Sequence, residues 1–220
     1  MNFLSERKKN MNMVALAREK QAKSIIEKIE KRNMCGYYCA TKKECADLVL
    51  SMIREGSSVT WGGSMSLKDC EIPERLEEKG VYNVIDRAKY GDNMQEYYLK
   101  AFTADYYLMG TNAITLDGEL MNIDGNGNRV ASLIFGPEKV IVLAGMNKVV
   151  SDINEAYMRI RNMASPPNTI RLGKNTPCAA TGKCGDCMSP DCICNQIVVT
   201  RRSREKERIH VILVGEEIGF

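Results

Sequence analysis

Histidine and tryptophan are almost missing from this 220-residue sequence, which contains one of each, and phenylalanine occurs four times. A single histidine excludes a three-histidine metal centre and disfavours a Ser-His or Cys-His catalytic pair. That histidine, His210, lies in the alternating apolar stretch "IHVILVG", where a structural role is expected.

Long apolar runs are also missing, because none approaches the roughly 18 residues of a membrane helix. The stretch "MNFLSERKKNMNM" becomes charged by Glu6 and lacks the apolar centre of a signal peptide. We therefore expect a cytoplasmic protein with no membrane partner. The cytoplasm is reducing and nine cysteines are an odd number, so complete pairing as disulfides is excluded.

The net charge is small. A formal charge of +3 and the scatter of basic residues along the chain give no indication of nucleic-acid binding. The densest basic run, "RRSREKER" at 201–208, also carries two glutamates, which favours the solvated tip of a hairpin over a phosphate-binding patch. Hydrophobic residues make up 44% of the chain, so it can bury a core without disulfides.

A strand–helix alternation runs through most of the chain and predicts an α/β fold. Strands are expected at 35–40, 57–62, 81–86, 104–110 and 139–145, and helices at 41–54, 73–80, 92–103 and 149–164, the last stopped by Pro166-Pro167. This order predicts a mostly parallel sheet flanked by helices on both sides. "AITLDGELMNIDGNGN" at 113–128 predicts a hairpin, because Asp-Gly and Asn-Gly are turn signals.

Three parts are expected along the chain. Residues 1–33 predict a polar N-terminal helix that packs either on the domain or on a partner subunit of a homo-oligomer; its apolar stripe is Ala22, Ile25, Ile26 and Ile29. Residues 34–170 form the α/β domain. Residues 171–220 predict a Cys-rich loop and a C-terminal β-hairpin packed on the domain, with the strands "NQIVVT" and "IHVILVG".

The first candidate binding site is a glycine turn in "VTWGGSMSL". A strand runs into Gly62, Gly63 and Ser64 and then into a helix in which Ser66 starts a capping box. Glycines let backbone N–H groups approach a ligand closely, and a helix N-terminus favours anions, so the turn suits a phosphate or carboxylate. The alternative is a tight turn that binds nothing. The motif is neither a dinucleotide fingerprint nor a Walker A loop, so no nucleotide cofactor follows from it.

The second candidate site follows the strand expected at 104–110. Gly110, Thr111 and Asn112 are expected at the carboxyl edge of the sheet, where open α/β folds bind ligands. Asp117 and Glu119 come next on the predicted hairpin, and either is a candidate catalytic base or nucleophile. The alternative is that these residues form a turn and have no catalytic role, because Asp-Gly is common in turns for its backbone preference alone.

Five of the nine cysteines lie within "PCAATGKCGDCMSPDCICN", residues 177–195. The Cys-x2-Cys pair is typical of a chelating turn, so four thiolates are candidate metal ligands: Cys178, Cys184, Cys187 and Cys194, with Cys192 as the alternative fourth ligand. Four thiolates suit zinc and an iron–sulfur cluster equally well. Reduced cysteines without a metal and a transient disulfide are the alternatives.

Two long stretches resemble a known family. "WGGSMSLKDCEI" and "ADYYLMGTNAITLDGELMNIDGNGNRVASLIFGPEKVIVLAGMNKVV" are similar to the LUD domain, the lactate-utilisation family, and the resemblance spans roughly residues 15–200. It implies the NagB/RpiA/CoA transferase-like fold, shared by glucosamine-6-phosphate deaminase, ribose-5-phosphate isomerase and the coenzyme A transferases. The tail "PCAATGKCGDC" resembles that of a small stand-alone branch. Lactate utilisation also implies iron–sulfur oxidoreductase partners.

The sequence departs from this family at Leu116, where many members carry glutamate. The resemblance therefore implies that Asp117 or Glu119 would have to replace that carboxylate. A strand alternates its faces, so 117 and 119 share one face while 116 has the other. We accordingly expect binding rather than catalysis at this place.

These observations leave three functional hypotheses. The first is an accessory component of lactate or organic-acid utilisation that binds a small anionic ligand and carries a cysteine-ligated metal centre. The second is an isomerase- or transferase-type enzyme acting on a phosphorylated or coenzyme A substrate. The third is a small-molecule-binding scaffold with structural zinc. The sequence does not decide whether the chain is catalytic, because fold resemblance does not transfer chemistry.

Replacing Cys184 and Cys187 together by serine should release bound metal and lower the melting temperature, because metal binding supplies folding free energy. Elemental analysis and thermal unfolding measure the two effects, with Cys35→Ser, outside the tail, as the control. Unchanged metal content and an unchanged melting temperature would show that the pair is not a metal site.

Overall fold

The fold contains a six-stranded sheet and a smaller four-stranded sheet, seen in a computed structural model that describes residues 13–220. The strands are β1 (Cys35–Cys39), β2 (Ser58–Trp61), β3 (Asn83–Ile85), β4 (Tyr106–Gly110), β5 (Ala113–Thr115), β6 (Leu120–Asp124), β7 (Lys139–Gly145), β8 (Val149–Val150), β9 (Gln196–Thr200) and β10 (Ile209–Val214). The helices are α1 (Met13–Lys31), α2 (Lys42–Met52), α3 (Met65–Asp69), α4 (Ile72–Lys79), α5 (Met94–Phe102), α6 (Asn128–Ile134), α7 (Ile153–Arg159), α8 (Ser165–Arg171) and α9 (Pro177–Thr181).

The large sheet has the order β1-β10-β7-β4-β2-β3, and every neighbouring pair in it is parallel. This confirms the predicted α/β fold with a mostly parallel sheet. The small sheet has the order β8-β5-β6-β9, with β6 antiparallel to both of its neighbours. Because the six large-sheet strands run the same way, their carboxyl ends meet at one edge, and the turns that leave those ends lie close together.

Each face of the large sheet is covered by helices. In β10, alternate residues serve opposite faces: Ile209, Val211 and Leu213 join one apolar cluster, while Ile212 and Val214 join the other. The first cluster includes buried residues of α1, α5 and α6, and the second includes those of α2, α3 and α4. Burial on both faces explains why these strands are almost wholly apolar.

The apolar stripe of α1 packs on the domain itself. Ala22, Ile25 and Ile29 are fully buried in the first cluster, and Ile26 is partly buried against it. A homo-oligomer through this helix stays a prediction, and residues 1–12 of the predicted helix lie outside the described part. Between residues 13 and 220 no helix combines the length and apolarity needed to cross a membrane.

The predicted C-terminal hairpin is wrong. β9 pairs with β6 in the small sheet, whereas β10 lies between β1 and β7 in the large one. Residues 171–220 are therefore not an appendage, because β10 is an inner strand of the main sheet. The charged run 201–208 connects two sheets rather than two paired strands, and the apolar character of β10 fits its burial on both faces.

The helix predicted at 149–164 is interrupted, and the following prolines do not end the helical segment. Val149 and Val150 form β8, and α7 begins after Asp152, whose carboxylate accepts a hydrogen bond from Glu155 N at 2.9 Å. A π-helical turn links α7 to α8, and both prolines lie in the first turn of α8. Proline is tolerated there because a first-turn N–H needs no helical partner.

Helix α6 replaces the second turn expected in the hairpin at 113–128. β5 and β6 do pair in antiparallel fashion, but the Asn-Gly sequence after them leads into α6. The carboxylate of Asp124 accepts hydrogen bonds from Arg129 N at 3.1 Å and Val130 N at 3.2 Å. These bonds satisfy two first-turn N–H groups of α6, so the acid at the end of β6 starts the helix.

Ile25→Ala should lower the free energy of unfolding by about 2–5 kcal/mol, because it deletes fully buried atoms and leaves a cavity. The matched control is Ile134→Ala in α6, which removes the same atoms from a side chain that is 61% exposed. Urea unfolding measures both. Equal losses in the two variants would contradict the packing of α1 on the domain.

Candidate functional site

A cavity of about 510 Å³ lies at the carboxyl edge of the large sheet. All seven residues predicted to bind a ligand line it: Gly62, Gly63, Ser64, Ser66, Gly110, Thr111 and Asn112. The two predicted stretches meet because β2 and β4 are parallel neighbours, so the turns that follow them leave the sheet side by side. That the cavity binds a ligand stays a prediction.

Two of the cavity glycines have no room for a side chain. A Cβ atom at Gly62 would lie 2.9 Å from the Tyr107 hydroxyl, and one at Gly110 would lie 2.9 Å from the hydroxyls of Ser64 and Ser66. These contacts are shorter than van der Waals separation, so glycine is required by packing at both places. A Cβ at Gly63 would meet nothing within 4 Å, so that position faces the open cavity.

The N-cap of α3 is Ser64, not Ser66 as predicted. Ser64 Oγ accepts a hydrogen bond from Leu67 N at 3.4 Å, while Ser66 lies within the helix. This frees the Ser66 hydroxyl, which accepts a hydrogen bond from Lys148 Nζ at 2.7 Å. Ser64 therefore caps the helix, and Ser66 holds Lys148 through a hydrogen bond.

Lys148 is a buried cavity residue that sequence reasoning missed. It ends the 3-10 turn that follows β7, is 3% exposed and lines the cavity. Its Nζ also donates to Thr111 O at 3.2 Å. Burial lowers the pKa of the amine to about 7, and the positive charges of Arg159 and Arg129 act in the same direction. A lysine placed directly after an apolar strand, in "VLAGMNK", was the available sequence signal.

Arg129 holds the turns of the carboxyl edge together. Its guanidinium donates to Asp124 Oδ1 at 3.0 Å and to Gly110 O at 2.9 Å. It also donates to Asn122 Oδ1 at 2.5 Å and Asn112 Oδ1 at 2.9 Å. A further bond reaches the carbonyl of residue 123. With its donors committed to the protein, Arg129 fixes the cavity wall instead of offering bonds to a ligand.

The rim of the cavity is positively charged. Arg87, Arg171 and Lys174 line it, and Asp124 is the one acidic lining residue among residues 13–220. Asp124 is already paired with Arg129, at 3.0 Å. Burial lowers the pKa of Arg171, and the charge of Arg87 adds to this shift. The two guanidinium groups therefore face a shared space that a negative charge would stabilise.

The segment after β10 covers Lys148. Gly219 and Phe220 line the cavity, and Gly219 N donates to Asp69 Oδ2 at 2.8 Å. Gly219 has φ +59, and a Cβ there would lie 2.6 Å from Ser66 Oγ and 3.0 Å from Lys148 Nζ. Glycine is thus required both by its conformation and by the closeness of the lysine.

Asp117 and Glu119 lie outside this cavity. The Asp117 carboxylate is 3.9 Å from Lys28 Nζ and lines a separate basic cleft beside α1, and Glu119 is 3.2 Å from Arg32. The tight turn between β5 and β6 interrupts the strand alternation assumed from the sequence and directs both acids toward α1. Their catalytic role stays a prediction, but the structure does not bring them to the glycine turn.

The sulfur atoms of the tail cysteines lie beside different polar groups. Cys178 Sγ lies 3.2 Å from Thr176 Oγ1, Cys194 Sγ lies 3.4 Å from Ser165 Oγ, and Cys184 Sγ accepts a bond from Arg161 Nε at 3.2 Å. Cys192 Sγ accepts from Cys194 N at 3.4 Å, and Cys187 is half-buried. Within residues 13–220 no group of three or more His, Cys, Asp or Glu side chains is arranged to hold a metal ion. The zinc or iron–sulfur centre stays a prediction.

The family model of the LUD domain matches residues 22–214. This chain belongs to the LUD domain family. The matched range includes part of α1 and all of β10, which agrees with a large sheet to which both early and late strands of the chain contribute. No curated protein matches this chain.

One solved structure supports the same fold, and two others are more distantly similar. A DUF162 family protein from Deinococcus radiodurans is 12% identical, and the match covers 90% of this LUD-family chain and 98% of that chain with a TM-score of 0.53. Ribose 5-phosphate isomerase from Plasmodium falciparum is 17% identical over 50% of this chain and 52% of its own, with a TM-score of 0.34. The 5-methylthioribose 1-phosphate isomerase from Pyrococcus horikoshii OT3 is 13% identical over 71% and 50%, with a TM-score of 0.37.

Lys148→Met should change how stability depends on pH. The folded pKa is about 7 and the usual one is 10.5, so between these values the unfolded chain holds a proton that the folded chain has lost. Raising the pH through this window therefore stabilises the wild type. The difference in unfolding free energy, wild type minus variant, should rise by about 1–3 kcal/mol from pH 7 to pH 9.

Urea unfolding at both pH values measures this difference. Lys20→Met, on the exposed side of α1, is the control and should show no such rise. A difference for Lys148→Met that stays constant between pH 7 and pH 9 would contradict the lowered pKa.

Proposed function

We propose that this LUD-family protein binds a small organic anion, a carboxylate or a phosphate ester, in the cavity at the carboxyl edge of its large sheet. In this proposal it serves lactate or related organic-acid utilisation as an accessory component, with iron–sulfur oxidoreductases as its partners. The ligand class follows from the charge of the cavity, and the metabolic role follows from the family.

The positive rim carries the proposal. Arg87 has no hydrogen-bond or ion-pair partner among residues 13–220, and Lys174 has a distant one, Asp191 at 3.8 Å. Arg171 donates two bonds to Asn168 Oδ1 and keeps its remaining donors. An anion between these side chains would gain charge-assisted hydrogen bonds and remove the repulsion between the guanidinium groups.

The floor of the cavity suits a small anion. Gly63 leaves open space beside the Ser64 hydroxyl, and the neighbouring Gly62 and Gly110 admit no side chain. A volume of about 510 Å³ falls within the range of small-molecule sites. The cavity therefore combines a small polar floor with a cationic rim, which favours ligands with one compact charged group.

An isomerase- or transferase-type activity on a phosphorylated or coenzyme A substrate is the second proposal. The observation that favours it is Lys148, a buried amine at the floor of the cavity. Lysines in such surroundings act as bases or nucleophiles at neutral pH. Binding comes first in either case, because both functions need the same anion site.

Isothermal titration calorimetry with inorganic phosphate and with lactate tests the binding proposal. Arg171→Gln removes a rim charge, and Gly63→Val fills the open floor. Each should weaken the binding of at least one of the anions by about tenfold or more, because a hydrogen bond to a charged group contributes roughly 1.5–3 kcal/mol. Raising the salt concentration should weaken binding by the wild type.

The matched control is Arg204→Gln, which makes the same charge change at an exposed position of the run 201–208, outside the cavity. It should leave the affinity unchanged. Binding of neither anion by the wild type, or an equal loss in Arg204→Gln and Arg171→Gln, would contradict the proposal.

A further inference from the structure

Lys148 is 3% exposed and yet pairs with no carboxylate among residues 13–220. Its Nζ donates to a hydroxyl, Ser66 Oγ, and to a backbone carbonyl, Thr111 O, at 2.7 and 3.2 Å. The nearby Asp69 carboxylate already accepts a bond from Gly219 N at 2.8 Å. The ammonium form is therefore buried with neutral acceptors, which is a costly way to hold a charge.

The groups around the amine act against its charge. Arg159 and Arg129 lower the pKa of Lys148 in addition to burial, while Asp69 and Cys70 oppose them with smaller effects. The resulting pKa of about 7 leaves a large fraction of the amine neutral at neutral pH. The neutral form has a lone pair and is a nucleophile, and the protonated form is not.

A merely electrostatic role does not account for this arrangement. An amine that served to attract an anion would work best when charged, and Arg87 and Arg171 already supply permanent charge at the rim. The amine of Lys148, at the floor of the cavity, supplies a nucleophile instead. Because Lys148, Arg87 and Arg171 line the same cavity, a ligand that uses all three has both an anionic group and an electrophilic carbon.

We propose that Lys148 Nζ forms a Schiff base with the carbonyl carbon of a small anionic aldehyde or ketone whose charged group lies at the Arg87 and Arg171 rim. This proposal rests on the proposed anion-binding function and names the ligand class within it. The ligand is a 2-oxo acid or a sugar phosphate in its carbonyl form.

The reaction needs no oxidant or reductant. The Nζ lone pair attacks the carbonyl carbon, the C=O π electrons move to oxygen, and one proton passes from nitrogen to that oxygen to give a neutral carbinolamine. The hydroxyl then takes up a second proton from solvent, the C–O bond breaks to release water, and the nitrogen lone pair forms the C=N bond of a protonated Schiff base. Ser66 Oγ, at 2.7 Å from Nζ, is placed to relay a proton between nitrogen and the departing oxygen.

Reductive trapping on the full chain tests the proposal. The protein is incubated at pH 7 with sodium cyanoborohydride and one probe: glyoxylate, glyceraldehyde 3-phosphate or uncharged glyceraldehyde. Peptide mass spectrometry then locates the reduced adducts. We expect one of the two anionic probes to label Lys148 at least about tenfold faster than the exposed Lys20, because a larger fraction of the Lys148 amine is neutral. Glyceraldehyde should label it more slowly.

Two variants and one competitor complete the test. Lys148→Arg keeps a cation and cannot form a Schiff base, so the adduct should disappear; Lys20→Arg should leave labelling of Lys148 unchanged. Inorganic phosphate should slow trapping by the anionic probes. Peptide mapping of the wild type alone decides the question if Lys148→Arg fails to fold.

The outcomes separate this proposal from the binding proposal. Calorimetric binding of phosphate or lactate without an adduct at Lys148 would overturn the Schiff base and leave anion binding intact. Labelling of Lys148 at the same rate as exposed lysines would also overturn it. Fast labelling by glyceraldehyde that phosphate does not slow would overturn the anionic ligand class, and calorimetry would then show whether the rim binds anions at all.

Discussion

The insertion of β10 between β1 and β7 is the constraint on which the site depends. Its backbone pairs in parallel with both neighbours and its side chains supply both apolar faces of the sheet. Just before it, Arg208 is 8% exposed and donates to the carbonyls of residues 132, 133 and 137, which fastens the strand to the end of α6. The residues after β10 then cross the carboxyl edge, where Gly219 lies against Lys148.

This arrangement concentrates positive charge around the cavity, where Lys148 itself is buried. Arg129 is compensated by amide and carbonyl oxygens and by one carboxylate, whereas Lys148 has a hydroxyl and a carbonyl. Buried cations without matched carboxylates cost stability, and the fold offsets that cost through its two large apolar clusters. Two events relieve the cost locally: the amine loses its proton, or an anion enters. Both events fit the proposed anion site, since perturbed pKa values of this kind are common at functional sites.

Much of the fold was predictable from the sequence because it rests on local patterns. The alternation of apolar strands and amphipathic helices predicted the parallel sheet, and the helix expected at 41–54 does begin at Thr41, whose Oγ1 accepts a hydrogen bond from Glu44 N at 3.2 Å. The glycine turn and the segment at 110–112 were placed at one edge by the same argument. The failures concern the partner of β10, which is a long-range choice, and the inclusion of Pro166-Pro167 within a helix.

The sequence by itself indicated which small residues follow the strand ends at the cavity, since glycine, serine and strand endings are local features. It did not determine which charges meet there. Arg87, Arg129, Lys148 and Arg171 are scattered over more than eighty positions of the chain, and their convergence depends on the strand order of the large sheet. The lowered pKa of Lys148 likewise follows from tertiary structure, because the pKa of an amine depends on its burial and its neighbours in space, and the residues beside it in sequence fix neither.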